Sequence, residues 1–273
     1  MIVHPNGIGI GYADDQLLAA KPLYTSGNVW YVNSATGIDA PSPRGLSPEY
    51  PLAQLDQAVA NSASGDVIVL MANHSEDIAA QIVLAKDLTI VGQGRTSGIP
   101  SVSLNHAIAG AEMIVAVVAR VEFRNVRFGP AVVAGTFEAL ILGTTPGTKF
   151  VGCRFEVGAL DTAAVAKVSL TANTGGPEFI DCAFASVAPV GGAVPVRFVY
   201  CEEANPNTLF QRCTFSAGAS GFAGDGYAVR FHTAQDNLVL EDLTLQGADL
   251  FVHADSTGRY NVASSTGASR VVW

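Results

Sequence analysis

Four charged residues in the second half of the chain could support carboxylate chemistry: Glu178, Asp181, Arg212 and Asp242. Two carboxyl groups held roughly 5 to 9.5 Å apart can act as acid and base, or as acid and nucleophile, on a glycosidic bond. Carboxylates that converge on one face can also supply part of the roughly 6 to 8 oxygens that Ca²⁺ takes. Asp181, Arg212 and Asp242 share one position of a repeat. We therefore favour an exposed, charge-compensated column over a calcium site.

The other reactive side chains form no catalytic motif. The histidines are scattered, and His232 and His253, which follow strands in successive repeats, are interpreted as surface residues. The 4 cysteines contain no Cys-x-x-Cys pair, which argues against zinc, and a cytosolic origin argues against disulfides. No Gly-x-Ser-x-Gly motif is present. The sequence predicts no catalytic residue, no metal site and no cofactor.

A repeat of roughly 30 residues must position these side chains. Each copy has a large apolar residue, two mostly polar residues, a Val, Cys or Leu, a variable residue and a second large apolar residue. The three apolar columns are Phe123, Phe150, Phe179, Phe210 and Leu240; Val126, Cys153, Cys182, Cys213 and Leu243; and Phe128, Phe155, Phe184, Phe215 and Leu245.

A second set of short apolar stretches lies between these copies, separated by Gly-rich turns. The stretches are 140–142, 168–170, 196–198, 229–231 and 250–252. Each alternates apolar and variable residues or is wholly apolar, as is typical of a strand. At least two short strands per repeat predict a parallel β-solenoid, in which each rung hydrogen-bonds to the next.

The solenoid frame explains three of the cysteines. Cys153, Cys182 and Cys213 occupy one frame position, so they should form an inward column of small apolar side chains and not a metal site. Cys201 falls outside the frame and receives no role.

A helix near 51–63 is predicted ahead of the repeats, because Leu52, Leu55 and Val59 share one helical face and Pro51 suits a first turn. A bare terminal rung would expose unpaired edges and core. We therefore interpret this helix as a cap over the first rung.

The segments 30–37 and 45–52, the helix, and the strand at 65–70 together resemble the N-terminal cap of pectin-lyase-like right-handed parallel β-helices. The likeness covers residues 29–95 by motif and the rest by periodicity. It implies an all-β, single-stranded right-handed parallel β-helix with an N-terminal capping helix. Lyases, hydrolases, tailspikes and inert virion proteins share this fold. Within it, the chain is most similar to β-helix structural proteins of tailed bacteriophages, which occur as head-decoration or tail-associated proteins.

Composition excludes several classes of function. The 273 residues contain 15 Lys+Arg against 24 Asp+Glu, a net charge of −9 that offers no basic surface to nucleic acid. No stretch approaches the roughly 18 apolar residues of a membrane span. The N-terminus has no positive region followed by an apolar core, so we expect no secretory signal and synthesis in the host cytoplasm.

Three parts are predicted: an N-terminal arm at 1–28, the β-helix at 29–258 and a C-terminal docking segment at 259–273. The two ends carry apolar residues that are unfavourable in water without a partner. The candidate partner-binding residues are Ile8, Ile10, Leu17, Leu18, Leu23, Tyr24 and Trp273.

The leading hypothesis is a structural virion protein of a tailed bacteriophage, a capsid decoration or cement protein. It would form a homotrimer and bridge copies of the major capsid protein, because a protein that binds only the assembled shell stabilises it by mass action. The alternative is a tailspike-like or lyase-like protein that binds or cleaves surface polysaccharide, with Glu178, Asp181, Arg212 and Asp242 as its site. A third hypothesis is an assembly adaptor without chemistry.

Overall fold

The computed structural model describes residues 2–3, 9–10, 27–40, 44–116, 120–133, 138–142, 147–158, 166–170, 176–187, 197–201, 207–216, 227–235, 237–246, 249–252, 254–266 and 271–272. In chain order these contain β1 (Ile2–Val3), β2 (Gly9–Ile10), β3 (Val29–Val32), α1 (Leu55–Asn61), β4 (Val67–Leu70), β5 (Ser75–Ile78), β6 (Ile82–Leu84), β7 (Leu88–Gly92), β8 (Arg95–Thr96), β9 (Ile99–Pro100), β10 (Ser103–His106), β11 (Ile114–Ala116), β12 (Val121–Arg124), β13 (Arg127–Phe128), β14 (Glu138–Leu142), β15 (Lys149–Val151), β16 (Arg154–Val157), β17 (Ala166–Leu170), β18 (Glu178–Ile180), β19 (Ala183–Ser186), β20 (Arg197–Cys201), β21 (Leu209–Gln211), β22 (Thr214–Ser216), β23 (Tyr227–Phe231), β24 (Leu238–Gln246), β25 (Asp249–Val252), β26 (Gly258–Thr266) and β27 (Val271–Val272).

The strands form three parallel faces of a right-handed β-helix, as the sequence predicts. The first face runs β3-β4-β7-β12-β15-β18-β21-β24, and the second runs β5-β10-β13-β16-β19-β22-β24. These two faces join into one sheet because β24 spans both of them. The third face is the 8-stranded sheet β6-β11-β14-β17-β20-β23-β25-β27. Two short antiparallel hairpins, β1-β2 and β8-β9, lie outside this pattern.

The predicted phenylalanine columns form the core. In the first column the ring centroids of Phe150 lie 5.3 Å from Phe123 and 5.0 Å from Phe179, with the ring planes within 7° of parallel. In the second column Phe155 stacks on Phe184 at 4.7 Å. Adjacent strands lie about 4.8 Å apart, so an inward residue repeated at the same register must stack at nearly that spacing. The columns meet edge to face, as at Phe150 and Phe155.

One rung of the second predicted ladder is wrong by three residues. The structure pairs Val168 with Val199 and Leu170 with Cys201, so β20 contributes 199–201 and not 196–198. Cys201 is therefore a fully buried core residue between Leu170 and Phe231. The triplet Val-Arg-Phe occurs at both 196–198 and 229–231. Aligning these two identical triplets gave the wrong register between β20 and β23, which pair Val199 with Val229. Residue 196 lies outside the described residues.

The helix predicted near 51–63 is observed at Leu55–Asn61, with Leu55, Ala58 and Val59 buried in the main core. Glu76 accepts a hydrogen bond from the Leu55 N–H at the helix start. At the other end Lys86 Nζ donates to the carbonyls of residues 59, 60 and 62. These contacts satisfy groups that a helix leaves unpaired at its ends. The role of this helix as a cap stays a prediction.

Parallel pairing continues past residue 258, the predicted end of the β-helix. Gly258–Thr266 pairs with β24, and Val271–Val272 pairs with β25. Residues 258–266 and 271–272 therefore extend the solenoid. Within the described residues, no helix is both long enough and apolar enough to cross a bilayer.

We predict that Phe184→Ala lowers the free energy of unfolding by about 3 to 5 kcal/mol, because a fully buried ring between two stacked rings is lost. The matched control is Val83→Ala, at a strand position that is 47% exposed, where a change below about 0.5 kcal/mol is expected. Urea unfolding followed by circular dichroism measures both. Equal losses in the two variants would contradict a stacked aromatic core.

Candidate functional site

Asp181, Arg212 and Asp242 lie at the turn between the first and second faces. Successive repeats place one residue there in the left-handed region of backbone space. These residues and their φ angles are Asn125 (52°), Gly152 (61°), Asp181 (54°), Arg212 (51°) and Asp242 (54°). Gly, Asn and Asp adopt this conformation most readily, and arginine is the unusual member.

Backbone hydrogen bonds hold this turn column from one repeat to the next. The N–H groups of Asn125, Gly152, Asp181 and Arg212 each donate, at 2.9 Å, to a carbonyl at the end of the following first-face strand. The repeat predicted that Asp181, Arg212 and Asp242 stack on one another. They do so because the same left-handed turn recurs in each rung and is hydrogen-bonded to the next.

An ion pair neutralises the middle of the turn column. Arg212 Nε and a terminal guanidinium nitrogen donate to the two carboxylate oxygens of Asp181, at 2.6 and 2.9 Å. The hydrogen bond from Arg212 to Asp181, together with the negative charges of Asp181 and Asp242, raises the pKa of Arg212 above its ordinary value. Both paired side chains are about half exposed. This geometry matches the charge-compensated column favoured from the sequence, because the Asp181 carboxylate is engaged by a cation.

Glu178 does not join the turn column. It lies on β18, where its carboxylate pairs with Lys149 Nζ of β15 at 2.8 Å. Asp181, Arg212 and Asp242 are thus brought together as predicted, while Glu178 belongs to a separate pair on the first face.

Arg95 completes the other end of the turn column and was not found from the sequence. This side chain comes from the β8-β9 hairpin and donates to Asn125 Oδ1 at 2.7 Å and to the Gly152 carbonyl at 2.9 Å. A Cβ on Gly152 would lie 3.0 Å from the Arg95 guanidinium, so the glycine makes room for it. In the sequence, the one feature that could have pointed to this contact is that Arg95 lies in a Gly-rich insertion between two repeats.

A second polar network covers the outer surface of the second face. Arg154 Nε pairs with Glu156 at 2.5 Å, and Arg127 Nε donates to Ser103 Oγ at 3.2 Å and lies 3.9 Å from Glu156. Glu156 is only 5% exposed although it points away from the core. Two guanidinium groups therefore compensate this buried carboxylate.

A shallow depression of about 320 Å³ lies at the beginning of the first-face strands. Its polar lining includes Asp87, Thr89, Arg120, Glu122 and Lys149. One wall is fixed because Asp87 Oδ1 accepts the backbone N–H of Arg120 at 2.7 Å. Charges of both signs therefore line this concave surface, and one of them, Lys149, is also paired with Glu178.

The cysteine column is structural. The Cys182 Sγ donates to the Phe150 carbonyl at 3.5 Å, and Cys153 and Cys213 make the equivalent contacts one repeat away. Burial raises the pKa of the Cys182 thiol well above its ordinary value. A protonated, buried thiol is a poor nucleophile. Among the residues that the structure describes, no three His, Cys, Asp or Glu side chains are grouped in a way that could hold a metal ion.

Several predicted site residues lie outside the described residues: Ile8, Leu17, Leu18, Leu23, Tyr24, His253 and Trp273. Ile10 lies in β2 and pairs with Ile2 across the hairpin. His232 is exposed, in agreement with its interpretation as a surface residue.

Comparison with known proteins identifies no family. No family model and no curated protein matches the chain. Two crystal structures of the pectin methylesterase from Aspergillus niger match, in its deglycosylated and penultimately deglycosylated forms. Each is 12% identical over 91% of this chain, covers 85% or 86% of the other chain and has a TM-score of 0.43. This similarity concerns the fold alone.

We predict a coupling of about 0.5 to 1 kcal/mol between Asp181→Asn and Arg212→Gln in a double-mutant cycle of unfolding, because a half-exposed bidentate pair is only modestly stabilising. The coupling should shrink in about 1 M NaCl, where charges are screened within roughly 3 Å.

The control cycle combines Arg212→Gln with Asp77→Asn on the second face. These distant changes should be additive within about 0.5 kcal/mol. A coupling for Asp181 and Arg212 no larger than that of the control would contradict the proposed compensation.

Proposed function

We propose that this protein is a structural component of a tailed-bacteriophage virion, a capsid decoration or cement protein that bridges copies of the major capsid protein. In this role it forms a homotrimer and uses its N-terminal arm and one face of the β-helix as contact surfaces. The observation that carries the proposal is the ion pairing of Glu178 with Lys149 and of Asp181 with Arg212 on the outside of the solenoid.

These ion pairs support a scaffold role. Asp181 is held by Arg212, Glu178 by Lys149, and Glu156 by two arginines. A carboxylate engaged by a cation has its charge-bearing oxygens occupied, so it is a poor general base until the pair opens. The stacked core and these outer ladders together favour a stiff rod, which suits a protein that spans neighbouring subunits.

Exposed apolar side chains support a protein-binding face. Val132 and Val187 follow second-face strands and are 43% and 44% exposed, and Val83 on the third face is 47% exposed. Val132 and Val187 share the second face, and exposed apolar side chains on one face are typical of a surface that is buried in an assembly.

We expect the purified full-length protein to co-sediment saturably with capsids that lack it, and we expect a variant without residues 1–28 to lose most of this binding. The arm supplies apolar contact area that the rod alone does not. A combined Asp181→Asn, Asp242→Asn variant is the control and should bind like the unmodified protein. Absence of saturable binding to heads by the full-length protein would overturn the proposal.

A second candidate function is binding of an acidic surface polysaccharide at the shallow depression. The observation that favours it is the presence of Arg120 and Lys149 beside the carboxylates of Asp87 and Glu122 in one concave surface. Arg120 can hold a uronate carboxylate there, and Lys149 can do so when its pair with Glu178 opens, while the acidic groups accept hydrogen bonds from sugar hydroxyls.

A glycan-binding assay with acidic host polysaccharide tests this candidate, with release of unsaturated sugars recorded in parallel. Saturable binding that falls at least tenfold in Lys149→Met, and is unchanged in Arg154→Met on the second face, would support it. Equal binding by the unmodified protein and Lys149→Met would exclude the depression, and sugar release lost in Asp181→Asn, Asp242→Asn would place a lyase at the turn column.

A further inference from the structure

The outer side of the third face carries a group of polar and aromatic side chains that the solenoid core does not use. In β20 the flanking residues Val199 and Cys201 belong to the core, so Tyr200 between them points outward. Strand pairing places Ser169 of β17 on one side of Tyr200 and Arg230 of β23 on the other. Tyr200 and Arg230 are partly exposed, so solvent reaches this part of the face.

Arg197 joins this group from the beginning of β20. Its guanidinium carbon lies 5.1 Å from the centroid of the Tyr200 ring, and its side chain is also partly exposed. Contact with an aromatic ring holds a guanidinium group in place, and the group has several N–H donors along its edges. A side chain that is already held loses less freedom when a ligand binds. We call Arg197, Tyr200 and Arg230 the third-face cluster.

The charge of this surface is opposite to that of the whole protein. The chain has a net charge of −9. The described side chains of β17, β20 and β23 nevertheless include three basic residues, Lys167, Arg197 and Arg230, and no acidic one. Arg197 lies over the Tyr200 ring, and Arg230 pairs with Tyr200 across the strands. Both guanidinium groups therefore lie near one ring and can donate to the same anion.

A buried hydroxyl lies directly beside the third-face cluster. Ser169 pairs with Tyr200 and is 1% exposed. Its Oγ has no hydrogen-bond partner in the part of the chain that the structure describes. Buried polar groups are nearly always hydrogen-bonded, to protein or to ordered water. A ligand oxygen that enters beside Tyr200, or a water that bridges to it, would give this hydroxyl an acceptor.

We propose that the third-face cluster binds an oxyanion, the carboxylate or phosphate group of a small molecule. The planar donor fork of arginine can hold two oxygens of either group at once, and such charge-assisted hydrogen bonds are short and strong. Tyr200 adds a hydroxyl and an adjoining apolar surface. The shallow depression is a separate site, because first-face strands line it. The oxyanion site does not depend on the proposed virion role.

Isothermal titration calorimetry on the full chain tests this site with inorganic phosphate and with glucuronate, and glucose is the uncharged comparison. We expect saturable binding of at least one anion, no binding of glucose, and weaker binding as the NaCl concentration rises. Binding of phosphate alone identifies a phosphate site, and binding of glucuronate alone identifies a carboxylate site. Arg197→Gln and Arg230→Gln should each weaken binding about tenfold or more, because each removes charge-assisted hydrogen bonds. The matched control is Arg259→Gln, at an exposed arginine of β26, which should leave binding unchanged.

Arg197→Lys separates the donor fork from positive charge alone. Lysine keeps the charge but lacks the planar fork, so binding should fall in this variant, although less than in Arg197→Gln. The Nε–H signals of Arg197 and Arg230 in NMR spectra of the unmodified protein give a second readout that requires no variant to fold. Both signals should shift when the anion is added. Absence of saturable anion binding, equal binding of glucose and glucuronate, or unchanged binding in both glutamine variants would overturn the proposal.

Discussion

The spacing between hydrogen-bonded parallel strands is the constraint on which the rest of this structure depends. Each rung lies about 4.8 Å from the next, so a residue at a given register stacks on the residues at the same position of the adjacent rungs. Flat aromatic rings tolerate that distance well when stacked, which is why two phenylalanine columns fill the core. The cysteine column between them uses a side chain small enough to leave both stacks undisturbed, and its thiols donate to carbonyls of the preceding repeat.

The same spacing governs charge on the outside of the β-helix. Like charges at one register would repel along the whole column, and opposite charges attract their neighbours directly. Lys149 faces Glu178, and Asp181 faces Arg212 across successive rungs. Carboxylates arranged this way meet cations and not one another. At this spacing Asp181 is engaged by the guanidinium group of the next rung, and Glu178 by the ammonium group of the rung before it.

The N-terminal end is built differently, because within the described residues no strand of a preceding rung pairs with β3 there. The backbone of residues 45 and 52 hydrogen-bonds to Tyr31 along the edge of this strand, and helix α1 packs against β3 and β4. Buried polar groups fix these parts: Asp66 binds the Trp30 indole, and His74 accepts the Ser34 N–H and faces Glu76 at the helix start. The outward side chains of Tyr31, Val67 and Val69 form a second buried apolar cluster at the same end. The proposed N-terminal arm therefore joins the β-helix at β3, a strand that these buried hydrogen bonds hold in place.

The sequence by itself determined the fold class, the two phenylalanine columns and the inward cysteine column, because a repeat of large apolar residues at fixed spacing allows few other ways to bury them. The sequence also placed Asp181, Arg212 and Asp242 at one position, since that position follows from the same frame. Only the tertiary structure decided the register of β20, the core role of Cys201 and the contacts of Arg95. Backbone hydrogen bonds between rungs set the register. The Val-Arg-Phe triplets at 196–198 and 229–231 have the same sequence but do not occupy the same position in their rungs. Arg95 joins the turn column from a hairpin outside the repeat, and a contact between residues 30 and 57 positions apart leaves no local trace in the chain.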